Sequence, residues 1–364
     1  MITFTLPTKG LRELVATAEH VAPKRPAKPV LSCLRLSAID GKIQIEATDL
    51  EIAVRLDVPS GVVSDPNGSV LLPAALFGQI VSRISDEEFE IRETKNGVDI
   101  AAASCRFELA TQSMKNWPAV TFLDSRGLDW SCEVPSRSLE TAIKRGLTCV
   151  GESGRFALCG ICMELGGTLD CISTDGRVGA VSSVPVGAAS GGITPVVPDR
   201  ALTLIRSLCD ESPVKLASNG NSFSASSDGW FLTTRLLEGR FPLAAMRDNF
   251  DYRAIEPIDV QCGPFANGIE VAALASTADS IGVDIVVSDG SIEFSSSTDI
   301  GKSESRLPVG SAVNAKIRVN PRLVLPFLRS LDASAPLKLR IKGADQMWLS
   351  TEDGTHFTAM GFTK

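Results

Sequence analysis

Residues 159–162 read Cys-Gly-Ile-Cys, the spacing at which two thiols can exchange a disulfide. That chemistry needs the first thiol at a helix N-terminus, where the macrodipole draws it toward thiolate. The surrounding run RFALCGICMEL reads instead as strand, in which residues three apart face opposite ways. Cys159 and Cys162 are therefore expected neither to pair nor to share a metal. The other seven cysteines (33, 105, 132, 149, 171, 209 and 262) lie among apolar neighbours, as small buried hydrophobes do in a reducing compartment. Other catalytic parts are scarce: His20, His356 and Tyr252 are the whole supply of their types, and HExxH, GxSxG and phosphate-loop motifs are missing. No catalytic residue, metal or cofactor is expected.

At 364 residues the chain suits two or three domains. Its 44% hydrophobic and 22% charged residues are those of an ordinary globular protein. No apolar run approaches the roughly 20 residues that span a bilayer. The start MITFTLPTKGLREL lacks the basic-then-apolar order of a signal peptide. A cytoplasmic protein without a membrane partner is expected. The formal charge of −7 argues against a surface basic all round, yet leaves a local basic face open.

The elements that would carry such a face repeat. LLPAALFGQIVSRISD (71–86), VVPDRALTLIRSLCD (196–210) and RVNPRLVLPFLRSLD (318–332) each set a proline before a helical pattern, with Pro73, Pro198 and Pro321 spaced 125 and 123 residues apart. Pro7, Pro135 and Pro264 form a second series at 128 and 129, and Thr48-Asp49, Thr174-Asp175 and Thr298-Asp299 a third at 126 and 124. Trp117-Pro118 answers Phe241-Pro242 at 124. Markers in one order imply a triplicated unit, with domains at 1–125, 126–252 and 253–364.

Within a unit, Leu11, Leu14, Val15 and Ala18 make one apolar helical stripe, and Phe77, Ile80, Val81 and Ile84 another. Alternating runs such as KIQIEATDLEIAVRLDV supply antiparallel strands, and turns such as IDGK and SDGW punctuate them. The fold class is α+β: three repeated domains, each with two helices on antiparallel sheet. The helix faces left over carry Arg12, Arg83, Lys144, Arg145, Arg206 and Arg329. One such arginine is ordinarily a solvated side chain, but six cations at equivalent places in a repeat are more than that reading accounts for. Asp49, Asp175 and Asp299 are expected to shape turns.

Several stretches along the whole chain resemble the bacterial sliding clamp, the β subunit of DNA polymerase III. They are EATDLEIAVRL, SCRFELATQSMKNWPAV, GRFALCGICMEL, STDGRVGAV and LLEGRFP. The resemblance implies DNA-clamp domains forming half of a closed ring, two chains joined head to tail, and helices lining a channel around duplex DNA. Binding would go to phosphates, without sequence preference. It places DNA contacts at Lys24 and Arg25 in PKRPAK, with Lys28 beside them, and adds Arg83, Lys144, Arg145, Arg206 and Arg329 from the repeated face. The ring-closing strand would carry Phe107 and Leu109, facing Ala273 and Leu274 of the other copy.

The resemblance also implies an apolar pocket for short peptides of the polymerase III α subunit, the clamp loader, other polymerases and repair proteins. Its walls would be Leu158, Thr174, Gly176, Arg177, Val178, Pro242, Met246, Met360 and Phe362. Three places depart from the family pattern. Gly179 stands where a bulky residue is usual, Met246 where arginine is common, and the end reads MGFTK where proline and leucine are frequent. The apolar pocket is still expected, with its peptide preference open. The alternatives are a clamp-fold peptide scaffold that does not encircle DNA, and a CGIC thiol-redox enzyme.

Overall fold

The computed structural model describes residues 1–123, 128–152, 156–277 and 281–362. The expected junction at 125/126 lies outside the described residues. Contacts divide the chain into two compact units, one of residues 1–133 with 212–235, the other of residues 134–211 with 236–364.

Seven α-helices occur among the described residues: α1 (Leu11–Val21), α2 (Ala74–Arg83), α3 (Ser136–Gly146), α4 (Asp199–Leu208), α5 (Leu243–Asn249), α6 (Cys262–Ala273) and α7 (Pro321–Arg329). The repeated prolines lie at or near the start of six of them. Pro73, Pro135 and Pro198 are N-caps, and Pro321 is the first helical residue behind Asn320, whose side chain accepts the Arg322 amide at 3.0 Å. Pro7 ends the strand before α1, and Pro264 lies in the first turn of α6, where no backbone donor is needed. In each repeat a strand runs into a helix at these points, as the spacing predicts.

In the first unit α1 and α2 pack on each other and bury Leu11, Val15, Ala18, Phe77, Ile80 and Val81. One antiparallel sheet runs Val62–Val63, Thr3–Pro7, Glu88–Glu93, Gly97–Ala101, Arg106–Ala110. Another includes, in order, Val214–Ser218, Ser222–Ser227, Trp230–Arg235, Ile52–Asp57, Lys42–Thr48, Cys33–Ile39 and Ser69–Pro73. The pairing of Trp230 with Leu56 and of Leu232 with Val54 makes that sheet continuous. Residues 126–252 are consequently shared between the two units.

In the second unit α3 packs on α4, and α6 on α7. Its larger sheet runs Val196–Pro198, Gly160–Leu165, Leu169–Thr174, Val178–Val184, Thr355–Met360, Gln346–Thr351, Pro336–Lys342, Ile258–Gln261. The smaller runs Gly301–Pro308, Ser291–Thr298, Val283–Ser288, Ala315–Val319. Its core joins Phe265 and Ile269 of α6, Val324 and Phe327 of α7, and strand residues such as Phe294 and Phe357. The Phe327 and Phe357 rings stack 4.3 Å apart.

The threonine-aspartate marker is a turn. Thr174 Oγ1 donates to Val178 O at 2.6 Å and accepts the Gly176 amide at 3.0 Å, while Asp175 Oδ1 accepts the Arg177 and Val178 amides at 2.7 and 2.8 Å. Thr48 and Asp49 make the same four bonds to Ile52, Leu50 and Glu51. Ser218 and Asn219 repeat them around Gly220, a copy hidden in the sequence by the change of residue types. The third residue has positive φ every time: Leu50 81°, Gly176 89° and Gly220 82°. Thr298 keeps only the hydroxyl part, accepting the Ile300 amide at 3.4 Å and donating to Ala275 O at 2.7 Å.

Candidate functional site

The basic residues come first. Lys24, Arg25 and Lys28 are exposed between α1 and a 3-10 turn at Pro29–Ser32. That segment is held from below: Val30 and Leu31 are buried with Cys33 and Leu71, against half-buried Met114 and Trp117. Three prolines, Pro23, Pro26 and Pro29, restrict the backbone between the cations. Arg83, Lys144, Arg145, Arg206 and Arg329 all stand in the last turn of their helices. This placement faces them to the carbonyl end of the helix dipole, worth about 0.3–1 kcal/mol each, so it has a structural reason of its own.

Their surroundings then separate them. Arg83 and Lys144 are exposed and Arg206 is half-buried. Arg329 Nη2 pairs with Glu270 of α6 at 2.9 Å, both side chains largely in solvent. Arg145 turns inward: its guanidinium, 11% exposed, meets Asp353 at 2.7 Å and the Thr355 hydroxyl at 2.6 Å. Arg12 likewise donates to Val81 O at 3.1 Å and Ile84 O at 2.5 Å, tying α1 to the end of α2.

The expected joining strand, Arg106–Ala110, is the outer strand of its sheet. It pairs with Gly97–Ala101 on one side and carries no strand on the other among the described residues. Phe107 is half-buried, whereas Leu109, opposite Val98, is only 8% exposed and belongs to the interior of the unit. Ala273 ends α6, and Leu274 just beyond it is 79% exposed. The strand Gly301–Pro308 is also outermost in its sheet and exposes Lys302, Glu304 and Arg306. Sequence reading missed it because GKSESRLP lacks the apolar alternation of a strand. Its inward Ser303 and Ser305 instead donate to Val271 O and Gly268 O of α6, at 2.6 and 3.0 Å.

The pocket residues are partly gathered. Met246 is buried in a cluster with Cys162, Ile172, Val196 and Phe241, and half-buried Leu158, Val181, Leu237, Leu243 and Phe250 pack against it. Pro242 is the exposed N-cap of α5, the short helix that carries Met246. This helix is fixed at its other end, where Asn249 O accepts the Trp348 indole N–H at 2.6 Å, and Arg247 forms an ion pair with Glu164. Thr174 and Gly176 build the turn described above, and Val178 lies in the core of α6 and α7. Arg177 is exposed and held to Asp175 Oδ2 at 2.9 Å, and its carbonyl accepts the Met360 amide at 2.8 Å. Met360 is 45% exposed. The Phe362 amide donates to Arg318 O at 2.7 Å, so the chain end is strung along the sheet by its backbone. Ile172, Val181, Phe241, Leu243 and Phe250 were missed, since they read as ordinary strand or loop hydrophobes.

One departure from the family pattern explains another. A Cβ on Gly179 would lie 2.6 Å from Met246 Cε and 3.3 Å from its sulfur. The methionine end occupies the space that the glycine leaves.

The CGIC pair does not form a redox site. Cys159 precedes the strand Gly160–Leu165 and donates to Glu152 O at 3.2 Å, while Cys162 is buried within that strand. Burial pushes the Cys162 thiol up to about 12, the opposite of an activated thiolate. None of the nine cysteines, all among the described residues, is bridged.

Known proteins agree with this geometry. Residues 2–121 match the family model for the DNA polymerase III beta subunit, N-terminal domain. The chain is 24% identical over 324 residues to the beta sliding clamps of Salmonella typhimurium strain LT2 and Escherichia coli strain K12, covering 84% of this chain and 84% of each. Its fold superposes on a DNA polymerase sliding clamp from Bacillus subtilis with a TM-score of 0.89 at 19% identity, covering 100% of this chain and 99% of that one. A DNA polymerase III beta subunit from Thermotoga maritima gives 0.88 at 17% identity, with 100% of both chains covered. Neither the scaffold nor the thiol-redox alternative finds support among these relatives. A three-fold repeat of strand-to-helix units, read together with these likenesses, makes the chain similar over 84% of its length to the beta sliding clamps, with residues 2–121 matching the DNA polymerase III beta subunit family.

Proposed function

We propose that this chain is a DNA sliding clamp, a non-catalytic processivity subunit of a DNA-directed DNA polymerase. Two copies close head to tail into a ring around duplex DNA, each copy contributing three clamp domains at 1–125, 126–252 and 253–364. The observation that best supports ring closure is that each unit ends one of its sheets in an outer strand, Arg106–Ala110 in one and Gly301–Pro308 in the other. Outer strands are aggregation hazards unless covered, and a second copy supplies the cover. Phe107, Ala273 and Leu274 form the apolar part of that contact.

Lys24, Arg25, Arg83, Lys144, Arg206 and Arg329 reach phosphates and impose no sequence preference. Arg145, held by Asp353, supports the helix that carries Lys144 rather than touching DNA. Short apolar peptides of the polymerase III α subunit, the clamp loader, other polymerases and repair proteins dock on the cluster around Met246, in the cytoplasm.

Light scattering on the purified chain tests closure. The expected mass is twice 38.6 kDa, and Phe107→Asp combined with Leu274→Asp yields a folded monomer. The ring stays on closed circular DNA and runs off after linearisation, and its retention falls with salt through counterion release. A wild-type monomer at micromolar concentration, or equal retention on circles and linear duplex, refutes the proposal.

A further inference from the structure

We propose that Gly179 and Met246 form an adjustable floor in the peptide pocket, so that this pocket selects a bulky aromatic anchor that displaces the Met246 thioether. The inference rests on the peptide-docking reading above and names what that site prefers.

Gly179 sits in the strand Val178–Val184 and its φ lies outside the left-handed region, so its backbone does not demand glycine. Space does: the three heavy atoms nearest its missing Cβ are Met246 Cε and Sδ, and Ser173 O at 3.2 Å. The floor is thus main chain, covered by one side chain. Methionine is unbranched with three rotatable bonds and a polarizable sulfur, and it yields to a neighbour more readily than a β-branched or aromatic residue. Met246 is 3% exposed, yet Leu158, Leu243 and Phe250, packed against its cluster, are only half-buried.

The far end of Met246 is therefore the movable part. Helix α5 itself is fixed by the bond from Trp348 to Asn249. When the thioether swings aside, the vacated slot reaches down to the main chain at Gly179, because no side chain rises from that position. A leucine anchor leaves such a slot partly empty, while a phenylalanine or tryptophan ring fills it and recovers the buried area lost by the methionine.

The probe is a fluorescein-labelled peptide with two fixed leucine anchors and a third anchor that is leucine, phenylalanine or tryptophan, followed by anisotropy. The wild type is expected to rank tryptophan and phenylalanine above leucine. Gly179→Val fills the slot and should weaken the tryptophan peptide about tenfold while shifting the leucine peptide about twofold or less. Met246→Ala removes the displaced group and should tighten the tryptophan peptide about fivefold relative to the leucine peptide. Melting curves check that both variants fold. If Gly179→Val does not, Met246→Ala carries the test alone. Equal weakening of all three peptides in either variant makes Met246 a fixed wall and overturns the inference while leaving the pocket in place. Failure of every peptide to bind the wild type refutes the docking reading itself.

Discussion

Arg145 Nη2 lies 2.7 Å from Asp353 Oδ2, an ion pair that joins the last turn of α3 to the turn between the strands Gln346–Thr351 and Thr355–Met360. The neighbouring Lys144 is exposed, so two adjacent cations that look alike in the sequence have opposite environments. The hydrogen bond from Arg145 holds the Asp353 carboxyl below its usual range.

Arg145→Ala is therefore expected to cost about 1–2 kcal/mol of stability, because it strands a charge-assisted network that includes the Thr355 hydroxyl. Lys144→Ala should stay within about 0.5 kcal/mol of wild type and lower DNA retention instead. Denaturant titration and DNA retention, measured on both variants, check the assignment. Equal stability losses would place both residues in the same role.

Leu50 holds φ of 81° where the equivalent turns use Gly176 and Gly220. A side chain in that conformation costs about 1–2 kcal/mol, part of which glycine returns as lost entropy on folding. Leu50 is 46% exposed, so little packing is lost on its removal. Leu50→Gly should raise stability by about 0.5–1 kcal/mol. A fall in the melting temperature would mean that the leucine makes a contact worth more than the strain.

His356 Nδ1 lies 2.5 Å from the Tyr252 hydroxyl. Burial lowers the His356 pKa, and the nearby Arg340 and Arg253 lower it further against the opposing effect of Asp170. The folded protein thus keeps the imidazole neutral where the unfolded chain, with its ordinary value of 6.5, already binds a proton. Its contribution to stability is complete above that value and is lost as pH falls from there through the folded pKa, at no more than about 1.4 kcal/mol per pH unit. His356→Gln should flatten the loss of melting temperature between about pH 7.5 and 5. An unchanged slope would assign the acid sensitivity to other groups.

Phe107 and Leu109, two apart on one strand, share a face, on which Leu109 is buried and Phe107, nearer the strand's start, only half-buried. Leu109→Asp should unfold or severely weaken the first unit, since it places an unpaired charge in the core. Phe107→Asp should leave the melting temperature of the monomer within a few degrees and change only the dimer mass. Circular dichroism and light scattering on the two variants distinguish a fold residue from an interface residue.

The paired helices were legible in the sequence because their signals are local. A proline at the strand end, a 3.6-residue apolar stripe such as Leu11, Val15 and Ala18, and a turn such as Thr174-Asp175-Gly176 act within a few residues of themselves. The same holds for the strand Gly160–Leu165, whose local pattern places Cys162 inside a strand and leaves no helix N-terminus to activate a thiol. Direction and partnership were decided only by tertiary structure. Nothing near Arg145 announces Asp353, 208 residues away, and nothing in GKSESRLP shows an outer strand, whose inward serines are satisfied by α6. Ser218-Asn219 repeats a turn whose threonine and aspartate have been exchanged for residues that supply the same hydroxyl and the same acceptor oxygen. The pocket shows the division most clearly. Gly179 and Met246 each look like a departure when read along the chain, and only their approach across the fold makes them one compensated unit, because packing fills space regardless of which residue supplies the atoms.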